Sequence, residues 1–92
     1  MADIRAHIVV SGRVQGVGFR YFVRSTAKNL GLKGWVKNKV NGDVEIVAEG
    51  IEGMINELIK MLPVGNTMAR VTDIHVTKEK CKYEFEDFSI TF

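Results

Sequence analysis

Residues 12–20 read Gly12-Arg13-Val14-Gln15-Gly16-Val17-Gly18-Phe19-Arg20, and this stretch decides the fold because it joins a strand pattern to a helix pattern. It holds three of the nine glycines of the chain within seven positions. Glycines let backbone N–H groups point inward, and the first turn of the following helix adds partial positive charge. With Arg20 on that turn, the loop predicts a binding site for a small dianion such as phosphate. A glycine-rich turn with an arginine on the surface explains the same residues equally well.

Strand and helix patterns continue on both sides of this loop. Before it, an apolar centre at residues 8–10 predicts a strand over Arg5–Ser11. After it, apolar residues at a 3.6-residue period predict a helix over Phe19–Leu30, which Gly31 ends. Next come two predicted strands, Lys33–Asn38 and Asp43–Glu49, joined by a turn at Asn41-Gly42. A helix over Glu52–Leu62 follows, which Pro63 stops. The chain ends with a fourth predicted strand over Arg70–Thr77 and a final edge strand or short pairing over Tyr83–Phe92.

The order of these elements predicts the fold class. Each helix has a single apolar stripe, so each should lie on one face of a sheet rather than inside a bundle. Strand, helix, strand, strand, helix, strand is the order of an α+β, ferredoxin-like split βαβ sandwich (βαββαβ), with an antiparallel sheet and two helices on one face. Right-handed crossovers place the first strand in the middle of that sheet. We expect one domain over residues 1–92, with a modest core.

Charge is distributed unevenly along the chain. The net charge is only +2, with 46% hydrophobic and 26% charged residues, which is ordinary for a soluble globular protein. Residues 1–42, however, hold eight Lys or Arg against one acidic residue, whereas residues 43–92 hold five against ten. The half with the glycine loop is therefore strongly positive, which favours an anionic ligand. Scattered surface charge is an equally good explanation.

Several classes of protein are disfavoured by the composition. No apolar run approaches the ~20 residues that span a bilayer, and Met1 to Arg5 lacks the layout of a signal peptide, so we expect a cytoplasmic protein with no membrane partner. Cys81 is the only cysteine, so neither an internal disulfide nor a cysteine-rich zinc site is possible. His7 and His75 are the only histidines, and two histidines without a third ligand rarely bind a metal.

Nucleotide motifs do not fit the loop. A P-loop needs Gly-Lys followed by Ser or Thr, and a dinucleotide fingerprint needs a third glycine where Tyr21 stands. What remains is a short anion site with Arg20, whose guanidinium can bind two phosphate oxygens side by side. Asn38 ends the second predicted strand, and its amide can both donate to and accept from a water molecule. A role in satisfying local backbone groups is the other interpretation of Asn38.

These residues resemble the acylphosphatase family. The resemblance is carried by Gly12–Arg20, by Gly34-Trp35-Val36-Lys37-Asn38 and by Asn41-Gly42-Asp43-Val44-Glu45, and it covers essentially the whole chain. It implies hydrolysis of acyl phosphates to a carboxylate and inorganic phosphate, which would be product and inhibitor, with no metal and no cofactor. By the motif of the family, Arg20 would bind the phosphoryl group and Asn38 would hold the attacking water. The backbone of the loop would form the phosphate cradle, at Arg13, Val14, Gln15, Gly16 and Val17.

Two positions depart from the pattern of the family. The turn after the second predicted helix reads Pro63-Val64-Gly65-Asn66, where the family often has Gly-Pro. Lys39 follows Asn38 at a position where some relatives carry a hydroxyl residue. We expect the first departure to affect the local conformation of the loop rather than the chemistry, and Lys39 to affect the position of the water or the local charge.

A non-catalytic ferredoxin-like module that binds phosphate or RNA is the competing hypothesis. Sheets of this topology that bind RNA stack bases on aromatic residues of the central strands. The predicted first and third strands have none there, since they carry Ile8-Val9-Val10 and Val44, Ile46 and Val47. The expected partner is therefore a small-molecule acyl phosphate rather than a nucleic acid, and the expected state is a monomer.

Overall fold

A computed structural model describes residues 2–92 of the chain. It contains five strands and two helices, in an order that matches the predicted one with a fifth short strand at the end. Their bounds are β1 (Asp3–Arg13), α1 (Phe19–Asn29), β2 (Lys33–Asn38), β3 (Val44–Ile51), α2 (Glu52–Met61), β4 (Arg70–Lys80) and β5 (Phe88–Ile90).

The strands form one sheet in the order β4-β1-β3-β2-β5. The four longer strands pair with one another in antiparallel fashion, and α1 and α2 each connect two parallel strands across one strand that lies between them. This is the split βαβ arrangement of the ferredoxin-like fold, with β1 and β3 inside the sheet. The predicted α+β fold class is confirmed.

The fifth strand corrects the prediction of a wholly antiparallel sheet. β5 pairs in parallel with β2, with Gly34 opposite Phe88 and Val36 opposite Ile90, so the sheet is mixed. The reason is where the chain leaves β4. Its last residue, Lys80, lies opposite Ile4 at the end of the sheet where β2 begins. A strand added beyond β2 from that end must run in the direction of β2.

The core lies between the sheet and the two helices. Alternate strand residues face the helices, and in β3 these are Val44, Ile46 and Ala48. The apolar stripes of the helices cover them with Phe19, Val23 and Ala27 of α1 and Ile55 and Leu58 of α2. Full burial of a large side chain of this kind contributes about 1.5–3 kcal/mol. This core fixes the start of α1 against the end of β2.

Strand ends differ most from the sequence-based ranges. β1 begins at Asp3 and ends at Arg13, beyond the predicted Arg5–Ser11, and β4 continues to Lys80 rather than Thr77. Most of these extra residues are polar, and they belong to strands because the backbones of β1 and β4 pair along 10 residue pairs. Side-chain patterns do not report such pairing. The predicted edge strand, in contrast, is reduced to Phe88–Ile90, since residues 81–87 cross the end of the sheet.

A buried carboxylate holds the crossing segment 81–87 to the face of the sheet opposite the helices. Glu49 is only 5% exposed and accepts hydrogen bonds from the backbone N–H groups of Lys82 (2.8 Å) and Glu84 (3.1 Å). Arg5 lies 3.4 Å from the same carboxylate. Burial alone would raise the pKa of Glu49, but these N–H groups and the Arg5 charge outweigh it and hold the pKa below its ordinary value.

Candidate active site

The loop between β1 and α1 presents free backbone donors. Gly16 and Gly18 have φ angles of 75° and 78°, in the left-handed region that favours glycine. Gly18 is the N-cap residue of α1, and no side chain caps that end of the helix. Within residues 2–92, the N–H groups of residues 14–18 donate no hydrogen bond to a protein acceptor. Such N–H groups beside a helix N-terminus attract an anion.

Two amide side chains hold this loop from opposite sides. The Nε2 group of Gln15 donates to the carbonyl oxygens of Lys39 (2.7 Å) and Asp43 (2.9 Å), in the turn between β2 and β3. The Nδ2 group of Asn66 donates to the carbonyl oxygen of Val17 (3.2 Å) from the turn after α2. Both positions that depart from the family pattern therefore adjoin the loop, Lys39 through its backbone and Asn66 through its side chain.

Arg20 is half-buried on the first turn of α1. Its guanidinium carbon lies 4.9 Å from the centre of the Phe92 ring, a cation–π contact. No carboxylate within the described part of the chain forms an ion pair with Arg20. Its N–H donors are therefore not committed to a protein anion, and a planar guanidinium can bind two oxygens of one phosphoryl group.

Asn38 is the last residue of β2 and lies on the face of the sheet that the helices cover. Val36, two residues earlier on the same face, belongs to the core, and Asn38 pairs with Val44. The Oδ1 atom of Asn38 is buried and has no hydrogen-bond partner among residues 2–92. An unpartnered buried acceptor costs about 1–3 kcal/mol unless a water or ligand bonds to it. This oxygen is therefore expected to accept a hydrogen bond from a bound water or ligand.

Arg20, Asn38 and the glycine loop meet at one cavity of about 200 Å³. It is lined by Val14, Gly16, Gly18, Phe19, Arg20, Tyr21 and Asn38. The remaining residues predicted for the cradle, Arg13, Gln15 and Val17, do not line it. Arg13 belongs to the β1–β4 ladder opposite Arg70, and the side chain of Gln15 is bound to the β2–β3 turn.

Three contacts of this site were missed by the sequence analysis. Tyr21 lines the cavity and is 61% exposed. Its position in the sequence, directly after Arg20 on the predicted helix, could have indicated that it lies near the site. Phe92 was assigned only to the final predicted edge strand or short pairing, although its ring lies against Arg20. The tie from Gln15 to the β2–β3 turn joins residues 24 and 28 positions apart, and no local pattern predicts it.

The cavity is positive, since Arg20 is the charged residue of its lining, and that lining has no carboxylate, histidine or thiol. Within residues 2–92 no group of three or more His, Cys, Asp or Glu side chains is placed to hold a metal ion. His7 lies on the opposite face of the sheet, with its Nε2 atom 2.6 Å from Glu45. The site can therefore bind an anion and hold a water, but its own side chains offer no strong general base.

A larger cavity on the opposite face of the sheet has the wrong charge for an anion. It measures about 580 Å³ and lies beside Trp35 and Phe85. Three carboxylates line it, those of Glu84, Glu86 and Asp87, against one lysine, so a phosphate there would meet net repulsion. Among the described residues neither helix is long and apolar enough to cross a membrane.

Comparisons with known proteins agree on one family. The family model named Acylphosphatase matches residues 6–90. An acylphosphatase of Bacillus licheniformis is 43% identical over 89 residues, which cover 97% of this chain and 99% of that relative. The crystal structure of acylphosphatase from Bacillus subtilis superposes with a TM-score of 0.93 at 44% identity, over 97% of this chain and 99% of that one. An acylphosphatase structure from Coxiella burnetii gives 0.90 at 40% identity, over 98% and 94%.

Proposed function

This chain belongs to the acylphosphatase family, and on that premise we propose that the 200 Å³ cavity beside the β1–α1 loop is its catalytic site. As an acylphosphatase it hydrolyses acyl phosphates, which are mixed anhydrides of a carboxylic acid and phosphoric acid. Water adds to phosphorus, the bond from phosphorus to the acyl oxygen breaks, and the products are a carboxylate and inorganic phosphate. Residues 1–92 form one domain for this reaction.

Arg20 and the loop backbone bind the phosphoryl group. The guanidinium of Arg20 donates two parallel hydrogen bonds to phosphoryl oxygens, and free backbone N–H groups of residues 14–17 bind the others. The absence of a competing carboxylate at Arg20 and the free N–H groups of residues 14–18, both within the described chain, support this assignment. In a loose transition state, charge on the phosphoryl oxygens is what the protein must stabilise.

Asn38 holds the attacking water, and one observation carries this assignment. Its Oδ1 atom is buried, lacks a partner within residues 2–92, and belongs to a residue lining the same cavity as Arg20. A water that donates to Oδ1 keeps a lone pair directed at phosphorus. Because attacking and leaving oxygens lie roughly in line, the acyl group departs on the side away from Asn38.

The reaction needs no protein acid or base in this scheme. A carboxylic acid has a pKa of about 4, so the carboxylate leaves without a proton donor. The proton of the water passes to a phosphoryl oxygen of the substrate. We also propose that no metal takes part, because the cavity lining holds neither a carboxylate, a histidine nor a thiol to bind one. A cytoplasmic location, a monomeric state and the lack of nucleic-acid partners stay predictions from the sequence.

Benzoyl phosphate hydrolysis in the presence of excess EDTA tests this proposal. We expect unchanged turnover with the chelator and competitive inhibition by inorganic phosphate. Loss of turnover with EDTA and its return with a divalent cation would contradict the metal-free scheme. Phosphate binding without any turnover would instead favour the non-catalytic module.

A further inference from the structure

Gln15 uses both N–H groups of its side-chain amide outside the cavity. They donate to the carbonyl oxygens of Lys39 (2.7 Å) and Asp43 (2.9 Å). Lengths of this kind are normal for strong N–H···O bonds. With both donors engaged, the side chain has none left for a phosphoryl oxygen. Gln15 therefore needs a role other than phosphate binding to explain how its side chain is placed.

Both acceptors belong to the turn that directly follows Asn38. The turn is closed by its own bonds, from Lys39 N–H to Asp43 (2.8 Å) and from Gly42 N–H to Lys39 (3.2 Å). Asn38 and Val44 form the last pair of the β2–β3 ladder before it. A bond from the loop to both ends of this turn therefore also fixes the end of β2 relative to the loop.

We propose that Gln15 is a positioning residue that sets the distance between the water held by Asn38 and the phosphoryl group held by the loop. The inference rests on the proposed function, because it assigns the two groups to the loop and to Asn38. The loop and the end of β2 are separate pieces of backbone, and Gln15 links them by two hydrogen bonds through one amide. Displacement of reacting groups by about 1 Å can cost roughly 10²-fold in rate.

The substitution Gln15→Met tests this role because it keeps the length of the side chain and removes both donors. We expect kcat for benzoyl phosphate to fall roughly 10- to 100-fold, with KM and the inhibition constant of inorganic phosphate changed less than about threefold. The split arises because Arg20 and the loop N–H groups still bind phosphate, whereas the water is displaced.

Asn66→Ala is the matched control. It removes an amide-to-carbonyl bond to the same loop, at Val17, from the side away from Asn38. We expect a comparable loss of thermal stability with kcat within about twofold of the parent protein. Equal losses of kcat in Gln15→Met and Asn66→Ala would mean that both act by loosening the loop, and would overturn the proposal.

Gln15→Glu gives a second, independent measurement. An ionised carboxylate would face the carbonyl oxygens of Lys39 and Asp43 and repel them, whereas the protonated acid can donate one bond. The kcat of this variant, divided by that of the parent protein, should therefore rise several-fold as the pH falls from 7 to 5. A pH profile parallel to that of the parent would overturn the proposal.

The remaining outcomes separate this inference from the proposed function. Parent-like kcat in Gln15→Met, or a rise in the phosphate inhibition constant as large as the fall in kcat, overturns the positioning role alone. Failure of the parent protein to hydrolyse benzoyl phosphate overturns the proposed function and the inference with it.

Discussion

Replacement of Arg20 by alanine should abolish most of the activity. In the proposed site its guanidinium donates two charge-assisted hydrogen bonds to one phosphoryl group, each contributing about 1.5–3 kcal/mol. Together they give about 3–6 kcal/mol, which corresponds to roughly 10²–10⁴-fold in kcat/KM. Arg20→Lys should recover little, because an ammonium group keeps the charge but not the planar pair of donors.

The assay is the hydrolysis of benzoyl phosphate, with inhibition by inorganic phosphate measured in parallel. Arg24→Ala is the matched control, since Arg24 lies one turn further along α1, has its guanidinium carbon 5.7 Å from the centre of the Tyr21 ring, and does not line the cavity. We expect Arg24→Ala to keep kcat/KM within about threefold. Parent-like turnover and phosphate inhibition in Arg20→Ala, or an equal loss in Arg24→Ala, would refute the assignment of the phosphate site.

Two further predictions concern the asparagine and the buried glutamate. Asn38→Ala should lower kcat for benzoyl phosphate roughly 10²-fold. Inhibition by phosphate and thermal stability should stay near those of the parent protein, because the substitution removes a buried oxygen that has no partner in the described chain. A fall in melting temperature large enough to account for the lost activity would contradict this. The lowered pKa of Glu49 in the folded state means that its ionised form stabilises the protein above the ordinary value of 4.5, and that this contribution is lost as the pH falls through the lowered pKa. The free energy of unfolding, measured with urea, should therefore be lower for Glu49→Gln than for the parent protein at pH 7, and the difference should be smaller at pH 3. An equal difference at the two pH values would argue against this role of Glu49.

Local patterns predicted the helices and the loop well, because the information lies within a few residues. The 3.6-residue stripe from Phe19 and the stops at Gly31 and Pro63 determine both helices, and the observed ends, Asn29 and Met61, differ by one residue from the prediction. The direction of β5 was not predictable in this way. It depends on where residues 81–87 cross the sheet, which Glu49 determines through backbone contacts 33 and 35 residues away.

The candidate site shows the same division. Arg20, Asn38 and the glycines are visible as motifs, but their meeting at one cavity follows from the crossover of α1 over the sheet. Tertiary contacts determine the rest. Arg13 pairs with Arg70 of β4, which keeps it out of the cavity lining, and the side chain of Gln15 is hydrogen-bonded to the β2–β3 turn. A sequence pattern indicates which neighbouring residues lie on the same face of a helix or strand. It does not indicate which distant segment of backbone packs beside them.

The shortness of β5 has a consequence for how molecules of this chain meet one another. Only three residues of β5 cover the outer edge of β2, the strand that ends in Asn38. Uncovered strand edges recruit strands from other chains, and on the other side of the sheet the edge of β4 carries Lys78 and Lys80, charges that discourage such pairing. Protonation of Glu49 in acid weakens the hold on residues 81–87, and with it the cover over β2. Acid should therefore promote self-association through the edge of β2 while most of the fold is still intact. Concentrating the protein at neutral pH should avoid this association.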